Sequence, residues 1–194
     1  VHWLIFGPSL AMFAVGLWDD LRPLTPQGKL LLQIFVSTGG VALGLQFQTA
    51  GLEVVGVPVS ILWLVGMANA FNLIDNMDGL AAGVAALSGV FLSFHALGQG
   101  SPGVAIAAAL FAGAHAGFLP FNFKPARIFM GDCGSMAAGF FLSAASMAGT
   151  WRGVSNLLFV VLIPLLILAV PIFNMVFIII TRKLSGVPVF HGKA

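Results

Sequence analysis

Long apolar stretches, separated by short polar segments, dominate the pattern of this chain. They fall at about 1–18, 29–47, 57–74, 79–98, 102–121, 134–150 and 156–180. Most approach the roughly 20 apolar residues that a helix needs to cross a bilayer. The pattern therefore predicts an all-α polytopic membrane protein with about seven transmembrane helices. We expect residues 1–194 to form a single transmembrane domain that is truncated at both ends.

The composition narrows the class of protein. Hydrophobic residues make up 59% of the chain and charged residues only 7%, whereas a soluble domain carries about 25% charged residues. This low charge excludes a water-soluble enzyme, a disordered chain and a basic nucleic-acid-binding domain. The single cysteine, Cys133, excludes an intrachain disulfide and a multi-cysteine metal site. We therefore expect a membrane as partner and no nucleic acid.

The basic residues predict the orientation of the helices. If the connections between the predicted spans are numbered in order, the first, third and fifth connections and the C-terminal tail share one side. That side holds Arg22, Lys29, Lys124, Arg127, Arg182, Lys183 and Lys193. The other side holds only Arg152. Because Lys and Arg concentrate in cytoplasmic loops, the first group is predicted to be cytoplasmic.

All the aspartates fall on that same predicted face, at the ends of apolar stretches. They are Asp19, Asp20, Asp75, Asp78 and Asp132. Carboxylates are costly near hydrocarbon and are rarely placed there without a partner. Mg²⁺ prefers such oxygen ligands and bridges one or two carboxylates to substrate phosphates, while nearby Lys and Arg can hold further phosphate charge. The residues thus predict Mg²⁺-dependent phosphate chemistry; for any single aspartate, helix capping or snorkelling at a loop end is the alternative.

Three sequence strings contain these aspartates. Residues 16–22 read GLWDDLR, residues 69–80 read NAFNLIDNMDGL, and residues 121–135 read FNFKPARIFMGDCGS. The Gly-Asp-x-Gly-Ser end of the third string permits close backbone approach and can begin a helix. In the second string, polar residues at every third position form a polar stripe on a helix. The stripe consists of Asn69, Asn72, Asp75 and Asp78.

These strings, in this order, resemble the polyprenyl-phosphate N-acetylhexosamine-1-phosphate transferase family, glycosyltransferase family 4, over nearly the whole chain. The resemblance implies transfer of N-acetylhexosamine-1-phosphate from a UDP-sugar to polyprenyl (undecaprenyl) phosphate, which releases UMP and initiates cell-wall or surface polysaccharide synthesis. It also implies Mg²⁺, with Mn²⁺ as an alternative, a site on the cytoplasmic face of the inner (plasma) membrane, and a homodimer. The second string favours the GlcNAc-1-phosphate transferases of the family.

The resemblance assigns catalytic and metal-binding roles to individual positions. Asp19 and Asp20 match the paired aspartates placed near the lipid phosphate. Asp19 is the implied general base, or the nucleophile of a two-step scheme. Asp132 matches the aspartate that binds Mg²⁺. Asp75 matches a catalytic position near the metal and the diphosphate.

The resemblance also assigns substrate contacts. Asn72 matches a residue near the metal and diphosphate, and Lys29 is a phosphate contact. Asp78 matches a position on the nucleotide side. Asn122 and Phe129 match uridine contacts, and Phe129 is expected to stack on the base.

Two departures from the family pattern affect the expectations. Asn76 stands where many relatives have Gly, which alters the loop but spares the polar stripe. The family's His-x-His-His motif is expected after the last span, and the chain ends at Ala194 before it. We therefore expect this polypeptide alone to be inactive and its full-length parent to be an enzyme.

Three other functions compete with the transferase interpretation. A transporter or ion pathway would use the aspartate cluster, but it predicts acidic residues near the middle of the bilayer. A CDP-alcohol phosphotransferase would need Asp-Gly-x-x-Ala-Arg, whereas residues 78–82 read DGLAA. A noncatalytic assembly subunit would require that the missing ends are naturally absent.

Overall fold

The protein is a bundle of α-helices throughout its described part. The structure, a computed structural model, describes residues 2–47, 53–148 and 169–185. The helices are α1 (His2–Leu21), α2 (Pro26–Ala42), α3 (Glu53–Ile74), α4 (Leu80–Gly98), α5 (Pro102–Asn122), α6 (Gly131–Ala148) and α7 (Ala169–Leu184). These ranges contain no strand, which confirms the all-α prediction there. Of the predicted span 156–180, the part before residue 169 lies outside the described residues.

Four of these helices are long and apolar enough to cross a membrane. They are the segments Trp3–Leu21, Gly56–Ile74, Leu80–Gly98 and Pro102–Asn122. Helix α2 is shorter than the predicted span 29–47 because the chain turns earlier. Gly44 has a φ of +112°, and the N–H of Leu45 donates to the carbonyl of Gly40, which closes the helix end.

Helix α6 lies at the centre of the bundle, packed against α1, α3 and α4. Almost every side chain from Ser135 to Met147 is buried. The hydroxyl of Ser143 donates to the carbonyl of Phe140 at 2.8 Å, and that of Ser146 donates to the carbonyl of Ser143 at 2.7 Å. The hydroxyls of these two buried serines are therefore satisfied by backbone carbonyls inside the bundle.

Two glycines allow backbone contact between α6 and its neighbours. A Cβ on Gly139 would overlap the carbonyl of Met67 in α3. A Cβ on Gly16 would lie 2.5 Å from the carbonyl oxygen of Asp132, at the start of α6. Small residues at such crossings let membrane helices pack backbone to backbone. The end of α1 is thereby held directly against the first turn of α6.

Gly139→Ala should destabilise the protein by about 1–3 kcal/mol, because the added methyl group forces α3 away from α6. The thermal unfolding midpoint of the purified protein in detergent measures this. Gly113→Ala is the matched control, since nothing lies within 4 Å of a Cβ at that position. Equal midpoints for the two variants would contradict the close α3–α6 packing.

Candidate functional site

Six helix ends meet at one end of the bundle, and they bring distant parts of the chain together. The starts of α2 and α6 join the ends of α1 and α3 through side chains of Lys29, Asp132, Asp19 and Asn72. The end of α5 joins the start of α4 through Asn122. The five predicted aspartates all lie in or beside these ends.

The ammonium group of Lys29 occupies the centre of a cluster of oxygens. Its Nζ lies 2.9 Å from Asp19 Oδ2, 2.5 Å from Asp132 Oδ2 and 3.3 Å from Asn72 Oδ1. We call these four residues the Lys29 cluster. The side chain of Lys29 is 16% exposed and that of Asp19 is 11% exposed, so water screens this ion pair much less than a surface pair. The cluster joins residues from α1, α2, α3 and α6.

Asn72 links the Lys29 cluster to the first turn of α6. Its Nδ2 donates to Asp132 Oδ1 at 2.7 Å and to the hydroxyl of Ser135 at 3.1 Å. Ser135 in turn donates to the carbonyl of Gly131 at 2.8 Å. Each carboxylate oxygen of Asp132 therefore accepts a hydrogen bond from a different helix, which fixes the direction of the carboxylate.

The two carboxyls of the cluster have different surroundings. Asp19 Oδ1 accepts from the N–H of Leu24 at 2.6 Å, which anchors it to the loop after α1. Burial raises the pKa of Asp132, and a hydrogen bond to Asp19 raises it further, against the opposing effects of Lys29 and Asn72. In the absence of a metal, Asp132 is the carboxyl of this pair that takes up a proton more readily.

Asp20 points away from the cluster and binds the backbone of α6. Its Oδ1 accepts from the N–H of Asp132 and its Oδ2 from the N–H of Cys133, both at 2.9 Å. Burial, together with the nearby Asp20 carboxylate, raises the pKa of the Cys133 thiol to about 11. The thiol is therefore protonated at neutral pH and is a poor nucleophile and metal ligand.

A second group of polar side chains joins the loop before α4 to the loop before α6. Asn122 is buried; its Oδ1 accepts from the N–H of Gly79 at 3.1 Å and its Nδ2 donates to the carbonyl of Ile128 at 3.0 Å. Asp78 Oδ2 accepts from the N–H of Ala126 at 3.1 Å. Asn122 and Asp78, two of the three residues with an implied nucleotide-side role, therefore hold the loops in shape. Phe129, in contrast, presents a ring that is 74% exposed.

Asp75 follows α3 directly and lies one residue past its last turn. Its N–H donates to the carbonyl of Phe71 at 3.2 Å, and its side chain is half-buried. It therefore continues the polar stripe of Asn72 toward the loop.

Sequence reasoning missed a buried polar pair beneath the Lys29 cluster. Gln33 is fully buried, and its Oε1 accepts from Asn69 Nδ2 at 2.6 Å. Gln33 lies one helical turn after Lys29, and Asn69 lies one turn before Asn72. A polar residue four positions from a candidate site residue on an otherwise apolar helix is the signal that identifies Gln33. The pair joins α2 to α3 below the ion pairs.

The oxygens of the Lys29 cluster suit a hard divalent cation. Within the part of the chain that the structure describes, no group of three or more His, Cys, Asp or Glu side chains could hold a metal by itself. Mg²⁺ needs only one or two carboxylates, with phosphates and water as its other ligands. The three oxygens around the Lys29 ammonium already form a cation-binding arrangement, so Asp132, with Asp19 and Asn72 beside it, fits that ion.

Comparison with known proteins identifies the family. Residues 2–150 match the family described as glycosyl transferase family 4. The chain belongs to glycosyl transferase family 4. This confirms the resemblance seen in the three strings, and it favours a transferase over the transporter alternative. With its four long apolar helices, this family 4 chain is a membrane protein.

Several curated proteins of this kind are similar to the chain. A probable undecaprenyl-phosphate N-acetylglucosaminyl 1-phosphate transferase of Bacillus subtilis is 37% identical over 190 residues, 93% of this chain and 52% of that protein. A phospho-N-acetylmuramoyl-pentapeptide-transferase of Limosilactobacillus fermentum is 35% identical over 71% of this chain and 48% of its own length. One of Streptococcus pneumoniae is 40% identical over 69% of this chain and 46% of its own length. The chain thus spans about half the length of these relatives.

Gln33→Leu should destabilise the protein by about 1–3 kcal/mol, because it leaves the Asn69 amide without its side-chain partner in a buried site. Thermal unfolding in detergent measures the loss. Gln27→Leu, at an exposed position of the same helix, is the matched control. The double variant with Asn69→Leu should regain much of the loss, since removing both partners is far less costly. An unchanged midpoint for Gln33→Leu would contradict the pairing.

Proposed function

We propose that the protein transfers N-acetylhexosamine-1-phosphate from a UDP-sugar to polyprenyl phosphate and releases UMP. The observation that carries this proposal is the Lys29 cluster: one ammonium, two carboxylates and one amide, drawn from four helices, at the polar end of an apolar bundle. It combines a positive charge for phosphate with oxygens for a metal. The family 4 relatives act on undecaprenyl-phosphate or transfer a phospho-sugar, according to their names.

We further propose the arrangement in the membrane. Seven helices cross the inner (plasma) membrane, and the Lys29 cluster faces the cytoplasm, where both UDP-sugars and the phosphate of the lipid are accessible. The excess of basic residues in the connections on that side supports this orientation. A homodimer remains a prediction from the family.

In the proposed reaction, an oxygen of the lipid phosphate forms a bond to the phosphorus that carries the sugar. The bond from that phosphorus to UMP breaks, and UMP leaves with the electron pair. With Asp132 committed to the metal, Asp19 is the carboxylate of the pair left to accept a proton, and it is the proposed base for the lipid phosphate. Lys29, released from one of its carboxylates, neutralises charge on the diphosphate. Asp132 would hold Mg²⁺, whose Lewis acidity would stabilise that charge.

The nucleotide is proposed to bind on the loop that Asn122 and Asp78 hold in place. The ring of Phe129 is exposed there, three residues before Asp132. Stacking of a base on an aromatic ring contributes about 1–3 kcal/mol. The base would then stack on Phe129, and the diphosphate would extend from it toward Asp132.

Asp132→Asn should lower UMP release by at least about 100-fold while the protein stays folded, because the amide keeps a hydrogen-bonding shape but loses the charge that holds Mg²⁺. The assay uses the full-length protein with a UDP-N-acetylhexosamine and polyprenyl phosphate, with and without EDTA. Glu53→Gln is the matched control, about 30 Å along α3 from Asn72. Turnover that resists EDTA, or full activity of Asp132→Asn, would overturn the metal role.

Phe129→Leu should raise the KM for the UDP-sugar about tenfold with a small change in kcat, because stacking binds the base equally in the ground and transition states. Steady-state kinetics at saturating polyprenyl phosphate measures this. Phe123→Leu is the control, since Phe123 is 65% exposed on the same loop. If both variants behave alike, Phe129 does not contact the base.

A further inference from the structure

We propose that Asp20 is a positioning residue: its carboxylate caps the N-terminus of α6 from α1 and so determines where Asp132 lies. The resemblance alone would make Asp20 a catalytic partner of Asp19. The geometry instead gives the two neighbours different contacts: Asp19 binds Lys29, whereas Asp20 binds the backbone of α6. The consequence for turnover rests on the proposed function, whereas the cap itself does not.

Helix α6 has no side-chain cap of its own. The first N–H groups of a helix lack partners within the helix, and a side-chain oxygen just before the helix usually accepts from them. The residue before α6 is Met130, which has no such oxygen. The two carboxylate oxygens of Asp20 accept from the N–H groups of Asp132 and Cys133 instead. A carboxylate is also favoured there by the partial positive charge of the helix N-terminus.

Two glycines leave room for this carboxylate. Gly131 has a φ of +69°, and a Cβ on it would lie 2.9 Å from Asp20 Oδ2. Gly16, one turn before Asp20 on α1, allows the backbones of α1 and α6 to touch. A larger residue at either glycine would separate Asp20 from α6. The Gly-Asp-x-Gly-Ser string therefore accommodates a side chain from another helix.

The cap completes a closed ring of contacts around the site. Asp132 binds Asp20 through its backbone and Lys29 through its carboxylate, and Lys29 binds Asp19. Because Asp19 and Asp20 are adjacent, both arms of the ring begin on the same turn of α1. Asp20 also fills the anion-binding N-terminus of α6, so these two N–H groups are not available to the substrate diphosphate.

Amide hydrogen exchange of the segment 130–136 tests the cap without any assay of turnover. Asp20→Asn keeps one acceptor oxygen and Asp20→Ala keeps none. The amide of Asp132 or Cys133 should exchange about fivefold faster once it loses its own hydrogen bond to Asp20. This factor is equivalent to about 1 kcal/mol. Gly131→Ala should accelerate the same amides although Asp20 is still present. Glu53→Gln should leave them unchanged.

Kinetics of the same full-length variants tests the consequence for turnover. We expect kcat to fall in the order wild type, Asp20→Asn, Asp20→Ala, with an unchanged KM for the UDP-sugar and an unchanged shape of the pH profile. The proposal would be overturned if the amides of Asp20→Asn exchanged at the wild-type rate while this variant was as inactive as Asp20→Ala. Asp20 would then be a direct catalytic residue. If wild-type protein released no UMP while amide exchange still rose from wild type to Asp20→Asn to Asp20→Ala, the proposed function would be refuted. The capping role of Asp20 would still hold.

Discussion

The ion pairs of Lys29 are the interaction on which the rest of the structure at this end depends. One ammonium balances Asp19 and Asp132 and also contacts the amide of Asn72, so four helices are joined at a single nitrogen. Removing one partner of a partly buried ion pair leaves an uncompensated charge, which costs more than the pair contributes. The apolar packing below the cluster holds these charges together, away from most of the surrounding water.

Close packing of backbones makes that arrangement possible. Gly16 and Gly139 bring α6 into contact with α1 and α3, and the buried Gln33–Asn69 pair joins α2 to α3 one turn below the cluster. A lipid-facing helix cannot hold several polar groups in register, because hydrocarbon offers no hydrogen-bonding partner. The polar residues of this site are satisfied by each other and by backbone, and α6 is buried among its neighbours.

Neighbouring residues with the same side chain perform different tasks here. Asp19 turns toward Lys29, whereas Asp20 turns toward the backbone of α6. Consecutive residues of a helix point about 100° apart, so an aspartate pair at a helix end can serve two neighbouring helices. Asn122 and Asp78 likewise bind loop backbone, whereas the ring of Phe129 on the same loop is exposed.

The sequence by itself determined the helical membrane class, the family and the set of polar residues at one end of the bundle, because hydropathy and motif spacing are local properties of the chain. The sequence also allows helix capping by an aspartate, but it does not indicate which aspartate. Only the tertiary structure decided that Asp20 caps α6, that Gln33 pairs with Asn69, and that α2 ends at Ala42. These depend on which helices meet and how closely, and the close approach at Gly16 and Gly131 that selects Asp20 has no counterpart in local periodicity.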